Sequence, residues 1–385
     1  MQNTVQPLIA YQLTSQPFYL GLIGFAGSLP GLLFMLPAGV LVEKMDKRRV
    51  VIVMQTVMML QAFGLSYLTF TNRLTIWWIL GLTMVLGAAS SVELTARQAM
   101  QVELVGKKAI PNAIALNSAI FNGARVIGPV LTTPFLLFLH NQGFGWAFFA
   151  NGVSYLFVIV SLILIRTRPV IQLEAARPSI LADFKEGQQF IRATPVVFLL
   201  ILIVTIPSFF GFPFTQQIPV FASDVLRGSH TAEAVAARNS LLVTAQGVGA
   251  VIAAILLAVF STWPRKGLAL VSGQIAFAAA LIGFSFAASP ALAGVLLIVV
   301  GWGVVTQLAL TNTLIQLAVP DGLRGRVIST YFWAQTAVTP FGSLFIGFLA
   351  QQYGAPLAVR LGGIVCLAGY LVVHILKPTI RQAEG

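Results

Sequence analysis

Charge is what this sequence has least of. Only 9% of its 385 residues are Asp, Glu, Lys or Arg, against about a quarter in soluble domains. So little charge cannot cover a water-facing surface, which leaves an integral membrane protein. Cysteine is almost absent. Cys366 stands alone in an apolar stretch, so no disulfide forms within the chain and no zinc spacing exists. His140, His230 and His374 are far apart and have no companions that suggest a metal or a triad. No GxxxxGK[ST] segment occurs, which excludes ATP as the direct fuel. The clustered His, Asp or Cys that a membrane enzyme needs near the interface is missing too. No catalytic residue, metal or cofactor is expected.

What is present is oil. Hydrophobic residues make up 57% of the chain, and mean hydropathy is +0.89. A secretory signal has one short apolar core, whereas here apolar segments recur to the end. A bilayer core needs about 20 apolar residues per helix. Eleven full spans are expected, at 18–42, 50–70, 75–100, 112–139, 146–165, 195–221, 240–260, 267–288, 291–317, 327–351 and 357–376. Residues 1–16 are too short to span and read as the last turns of a helix, with Tyr11 and Gln12 facing a cavity. About 10–25 further, mostly apolar residues are expected before Met1.

The net charge of +12 invites a nucleic-acid reading. Its placement argues otherwise, because the bases sit at span ends and not on one face or tail. If the turn holding Lys44, Lys47, Arg48 and Arg49 is cytoplasmic, then all but five of the 23 Lys and Arg fall on that side. Arg73, Arg227, Arg238 and Arg360 fall outside, and Arg125 lies within a span. That bias orients the chain, with its charged loops and C-terminus cytoplasmic. The one long polar break divides the chain into 1–165, a linker at 166–194, and 195–385. Within the break, Ile180, Leu181, Phe184 and Ile191 have roughly helical spacing. They fit either an amphipathic surface helix or a solvated linker.

The chain also repeats. At an offset of 214 residues, the segment from Arg97 to Leu131 lies over that from Thr311 to Phe345, placing Gly128 on Gly342 and Ile114 on Ile328. Both segments run from an apolar span through a charged turn into a Gly-containing span. Parallel halves are a standard transporter plan.

The turn "AGVLVEKMDKRRVV" resembles the signature of the major facilitator superfamily between its second and third helices, in Gly39, Glu43, Lys44, Asp46, Lys47, Arg48 and Arg49. It departs where the usual acid is Asp and where a Gly usually replaces Asp46. "PNAIALNSAIFNGARVIGP" and "TLIQLAVPDGLRGRVIS" resemble the drug and siderophore exporters typified by enterobactin and macrolide efflux pumps, a branch of drug–proton antiporters. The resemblance covers nearly the whole chain. It implies an all-α membrane protein of two pseudo-symmetric six-helix halves, with the first helix truncated. It also implies a cytoplasmic gate at Gly39, Glu43, Asp46, Lys47, Arg48 and Arg49, whose bases latch onto the other half in one state. The alternative is a plain positive anchor, which has no need of Glu43 and Asp46.

Other candidates come from residues that sit uneasily in lipid. Glu93 is the only acid inside a span, with Arg97 one turn on. The pair reads as a proton-coupling site or as a fixed salt bridge. Arg125 would cost about 2.5–3.5 kcal/mol if it faced lipid, so it faces protein or water. Asn117, Asn122, Arg125, Phe210, Phe214, Gln246, Trp302, Gln307 and Trp333 are the expected lining of a large, weakly polar, aromatic cavity. Gln335 is a similar candidate; the amides and Trp residues also read as helix–helix hydrogen bonds, Arg125 as a link to helix-end carbonyls, and the Phe residues as lipid-facing. Gly128-Pro129 resembles the antiporter bend of the fifth helix, with Thr132-Thr133 in place of the following Gly pair. Pro207 and Pro213 interrupt the seventh span.

The expected function is secondary export of hydrophobic or amphipathic small molecules across a bacterial plasma membrane, by proton antiport. The partners are substrate, lipid and protons, with no nucleic acid, and the protein acts as a monomer. A lipid or lysophospholipid flippase and a non-transporting remnant are the alternatives. If the charged turn is a gate, Asp46→Ala with Arg48→Ala should slow transport, leave insertion intact and raise cysteine labelling from the cytoplasmic side. Unchanged labelling with unchanged transport would leave only the anchor.

Overall fold

The computed structural model describes residues 1–43, 45–139, 142–165, 180–260 and 263–376, without the side chains of 35–41, 43, 180–185, 321 and most of 102–125. Every regular element among the described residues is helical, as lipid demands of backbone that must satisfy its own polar groups. The order is α1 (Gln2–Thr14), α2 (Pro17–Glu43), α3 (Lys47–Phe70), α4 (Ile76–Phe138), α5 (Gly143–Leu164), α6 (Ile180–Ala193) and α7 (Pro195–Phe210). Then come a 3-10 turn (Phe212–Gln217), α8 (Ile218–Val220), a π turn (Phe221–Val225), α9 (Ala232–Val259), α10 (Lys266–Phe284), α11 (Pro290–Ala318), α12 (Asp321–Tyr353) and α13 (Ala355–Leu376). Helix starts follow local chemistry. The Asp46, Thr231 and Ser289 side chains accept from Arg49 N, Ala234 N and Leu292 N, and Pro290 follows its cap.

Among the described residues ten helices are long and apolar enough to span, and Val126–Phe138 is a shorter apolar stretch where the fifth span is expected. The expected fourth and fifth spans are joined in one run of helical backbone, α4. This run cannot be straight. Gln6 of α1 bonds Thr83, and a Cβ on Gly128 would lie 3.0 Å from the Met1 nitrogen. Forty-five residues of straight helix would cover about 67 Å, and α1 is only about 20 Å long. Both arms of α4 therefore lie along α1, and the chain reverses between them.

In chain order α1–α5 form a first group, before the polar break, and α7–α13 a second, after it. They meet along two seams, α2 against α12 and α4 against α9. Along the first seam the helices run antiparallel and touch through glycine. A Cβ on Gly21 would fall 2.8 Å from the Gly347 Cα, and one on Gly24 2.8 Å from the Ser343 Cβ. These contacts lie at the end opposite the Asp46 turn.

The 214-residue offset recurs in the packing. A Cβ on Gly87 of α4 would meet the Gly27 carbonyl of α2 at 2.3 Å, and one on Gly301 of α11 the Gln246 carbonyl of α9 at 2.0 Å. Gly128 lies against α1, and Gly342, 214 positions on, against Phe209 of α7. Each group thus sets its own first helix against an equivalent glycine.

Helix α7 gives way at Gly211, two residues before Pro213, and continues as 3-10, α and π turns. Pro207 lies within it, one turn earlier, and Gly211 N still reaches the Pro207 carbonyl at 2.9 Å. In α4, by contrast, helical backbone runs through Gly128-Pro129. There the Thr132 and Thr133 hydroxyls bond the Gly128 and Pro129 carbonyls at 2.7 and 3.0 Å. Helix α6 does not lie free on a surface. It packs on α12, where Glu186 pairs with Arg326 and Gln188 bonds Thr330 at 3.3 Å, and Ile191 is buried. Ile180, Leu181 and Phe184 lie outside the described side chains.

The glycine seam can be tested by adding one methyl. Gly347→Ala places a Cβ against backbone, so it should cost about 1–3 kcal/mol and lower the melting temperature in detergent. Gly81→Ala, with nothing within 4 Å, should hold or raise it. Equal melting of the two variants would refute the close seam.

Candidate functional site

Where α2, α4 and α12 meet, the two groups line an open cavity of about 320 Å³. Its walls are Gly27, Ser28 and Gly31 of α2, Gly87, Ser90 and Ser91 of α4, and Gln335, Thr336 and Thr339 of α12. The spacing explains the grouping, since positions three or four apart share a helix face. Ser91 and Thr339 bond back to the Gly87 and Gln335 carbonyls at 2.6 and 2.8 Å. Those bonds use each hydroxyl's proton and leave oxygen lone pairs for the cavity. None of the lining residues is charged.

Helix α1 is a second polar centre. Gln2 and Gln6 are bonded at 2.7 Å, Gln6 reaches Thr83 of α4, and Asn151 of α5 bonds Gln2 at 3.2 Å. From the other group, Asn239 of α9 bonds the Thr4 carbonyl at 3.2 Å, and Asp224 of the π turn accepts from Tyr11. The latter two bonds tie the groups together, the Tyr11–Asp224 bond near the end opposite the Asp46 turn. There a cavity of about 380 Å³ opens between α1, α3, α4, α5 and α9, with Gln12, Asn72 and Glu233 among its walls.

The expected gate residues are only partly in view. Gly39 and Glu43 lie outside the described side chains, and Lys47 starts α3. Asp46 caps that helix and pairs with exposed Arg49 at 3.3 Å. Arg48 donates to the Leu162 and Ile163 carbonyls at the end of α5, at 2.7 and 2.6 Å. A cation on orphan helix-end carbonyls is electrostatically favourable. These bonds of Asp46, Arg48 and Arg49 stay within α3 and α5, on the same side of the seam.

Glu93 pairs with Arg97 at 3.3 Å and accepts from Gln55 of α3 at 3.1 Å. Glu93 is buried, while Arg97 is 44% exposed. At 100° per residue, Glu93 sits about 110° around α4 from the Gly87, Ser90 and Ser91 face. It looks toward α3 and not into the shared cavity.

Among the described side chains, the residues expected to line an aromatic cavity stand in several packing environments. Phe214 is 1% exposed and its ring lies 6.1 Å from that of Phe284, inside the second group. Gln307 is fully buried and accepts from Tyr370 at 2.7 Å. Phe210 stacks with Phe209 and Phe345. Gln246 and Trp302 lie at the α9–α11 contact, half-buried, and Asn117 and Trp333 are exposed. The side chains of Asn122 and Arg125 are outside the description. Phe210, Phe214 and Gln307 sit between helices, where each hydrogen bond or ring contact helps hold a bundle in lipid. The observed cavity instead uses hydroxyls and glycine. Of its lining only Gln335 was singled out from sequence, although Ser90, Ser91, Thr336 and Thr339 carry a readable helical spacing. Among the described residues no group of three or more His, Cys, Asp or Glu could hold a metal.

Comparison with known proteins places this geometry. The sequence profile described as "Transmembrane secretion effector" matches residues 3–384. The chain is similar to the staphyloferrin A transporter of Staphylococcus aureus (strain NCTC 8325 / PS 47), with 25% identity over 94% of this chain and 88% of the relative. It is similar to the multidrug efflux pump Tap of Mycolicibacterium fortuitum, with 22% identity over 98% and 91%. In fold it matches a bacterial homologue of the human lysosomal transporter Spinster, inward-facing and occupied, at TM-score 0.70, 12% identity, and 99% and 92% coverage. The nucleoside transporter NupG matches at TM-score 0.69, 10% identity, and 98% and 94% coverage.

If solute passes through the small cavity, Thr336→Trp and Ser91→Trp should each cut transport about tenfold or more by filling it, with insertion intact. Normal transport by both variants would place the path elsewhere.

Proposed function

Because the chain belongs to the transmembrane secretion effector family of the major facilitator superfamily, we propose that it is a secondary exporter of amphipathic small molecules, driven by proton antiport. The observation that carries this is the uncharged, hydroxyl-lined cavity on the seam between the two groups. It offers hydrogen bonds and van der Waals surface without a fixed counter-charge, which suits an amphipathic organic molecule better than a free ion. The relatives are named for transport of staphyloferrin A and for multidrug efflux, and this supports an organic solute without choosing one.

In this reading 1–165 and 195–385 are the two halves that rock about the site, joined by 166–194. The end carrying Asp46 faces the cytoplasm of a bacterium, in line with the Lys and Arg bias. The protein works as a monomer, with lipid, protons and solute as its partners. The glycine seam and the Tyr11–Asp224 bond close the opposite end, and alternating access reopens it.

Glu93 is the proposed proton carrier of the first half. It is buried, pairs with Arg97 at 3.3 Å and accepts from Gln55 of α3. Its place beside α3 means that it acts through helix α4 and not by touching solute.

The test is uptake into inverted vesicles of a panel of dyes, macrolides and catecholate siderophores, with and without a proton gradient. Gradient-dependent accumulation of at least one compound is expected. Glu93→Gln should abolish that accumulation while solute still exchanges. Accumulation of none of the panel would remove the exporter reading, and full accumulation by the Gln variant would make Glu93 structural.

A further inference from the structure

The second group of helices holds buried polar groups that the cavity, the seams and Glu93 leave unused. On α13, Tyr370 and His374 stand one turn apart, and both are buried. His374 Nε2 lies 2.7 Å from Gln274 Oε1 on α10. An amide oxygen only accepts, so the ring N–H donates. One turn deeper, the Tyr370 hydroxyl donates to Gln307 Oε1 on α11. The helices are close enough for these rungs to adjoin, since a Cβ on Gly273 would lie 2.8 Å from Thr306 Cγ2. Thr306, Gln307 and Thr311 are buried on α11, as is Gln274 on α10.

Helix–helix adhesion does not explain the whole set. The amide nitrogens of Gln274 and Gln307 and the hydroxyls of Thr306 and Thr311 find no protein partner. Unpaired buried groups cost folding free energy, and in folded proteins such groups are met by internal water. His374 stands in the last turn of α13, at the Asp46 end, and the Tyr370–Gln307 rung lies further in. The pattern is a polar ladder leading inward from one membrane face, with a titratable ring at its mouth. An ionisable residue inside a membrane bundle is costly and marks ion or proton paths.

The ionisable residues on the elements around it are few. Helices α7 and α11 and the 3-10 turn carry none. Helix α10 carries Lys266, about 12 Å along the helix from Gln274. On α12 are Asp321, Arg324, Arg326, Tyr331 and Tyr353. The π turn holds Asp224, and α13 itself adds Arg360, Cys366 and Tyr370. Gln274, bonded to His374, and Tyr370, one turn deeper, are neutral.

We propose that this ladder is a hydrated proton site of the second half, with His374 as the group that takes up and releases the proton. A proton arriving through water converts the neutral ring to imidazolium while its Nε2–H stays on Gln274, and it leaves by the same route. Coupling of this event to solute movement rests on the antiport reading above, whereas the protonation itself does not.

Two measurements test it. In a His140→Asn, His230→Asn background His374 is the sole histidine, and nitrogen-15 NMR of the protein in lipid nanodiscs reads its ring directly. The ring should pass from imidazolium to the neutral form within about pH 5–8. A ring that stays neutral throughout overturns the site, whatever the transport assays give. His374→Gln keeps an N–H for Gln274 but cannot titrate. It should melt close to wild type and lose the pH dependence of export over that range. An unchanged pH profile would overturn the coupling role and leave a structural hydrogen bond.

Discussion

Lipid tails are as apolar as leucine, so helices in a bilayer gain little by hiding apolar side chains from one another. What binds them is close approach, and the rest of this structure depends on it. Glycine supplies that approach at Gly21–Gly347 between the groups, at Gly87 and Gly301 within them, and at Gly128 and Gly342 against each first helix. Large apolar residues such as Trp77, Phe157 and Leu164 are left exposed at the periphery. They need no partner where the solvent is hydrocarbon.

The same constraint sorts the polar residues. Those paired between helices act as adhesion, as at Gln6–Thr83 and Gln55–Glu93. Hydroxyls that fold back on their own helix, such as Ser91 and Thr339, cost little and leave acceptors facing the seam cavity. Asp46 caps α3 and Arg48 closes the end of α5, whereas Glu93 and Arg97 pair inside α4. A cavity made by small residues at a glycine seam is also one that a modest sliding or rocking of α2 on α12 can open or shut. Site and moving part are built from the same contacts.

Much of the fold was legible in the sequence. Span lengths, Lys and Arg placement, the break around Pro213 and the 214-residue offset are local or periodic properties, and helices in lipid cannot hide them. The superfamily was legible in the charged turn and in the two turn-to-span segments. The site was less so. Phe214 and Gln307 look like cavity residues in a linear reading because aromatic and amide groups are rare in lipid, and rarity does not say which way a helix face turns. Ser90, Ser91, Thr336 and Thr339 do not stand out because hydroxyls are commonplace in membrane helices, even though Thr336 and Thr339 share one face and Ser90 and Ser91 share one with Gly87.

By itself, then, the sequence determined that this chain crosses a membrane many times, which end its bases favour, and that it is built twice over. Each follows from free energies that act residue by residue: transfer to lipid, charge at an interface, and small side chains at regular spacing. Only the tertiary structure decided that Glu93 looks toward α3, that Tyr11 meets Asp224 across 213 positions, and that His374 and Gln274 share a buried bond. Those outcomes depend on the rotation and depth of each helix against its neighbours. Packing of all the helices together sets both, and no single span encodes them.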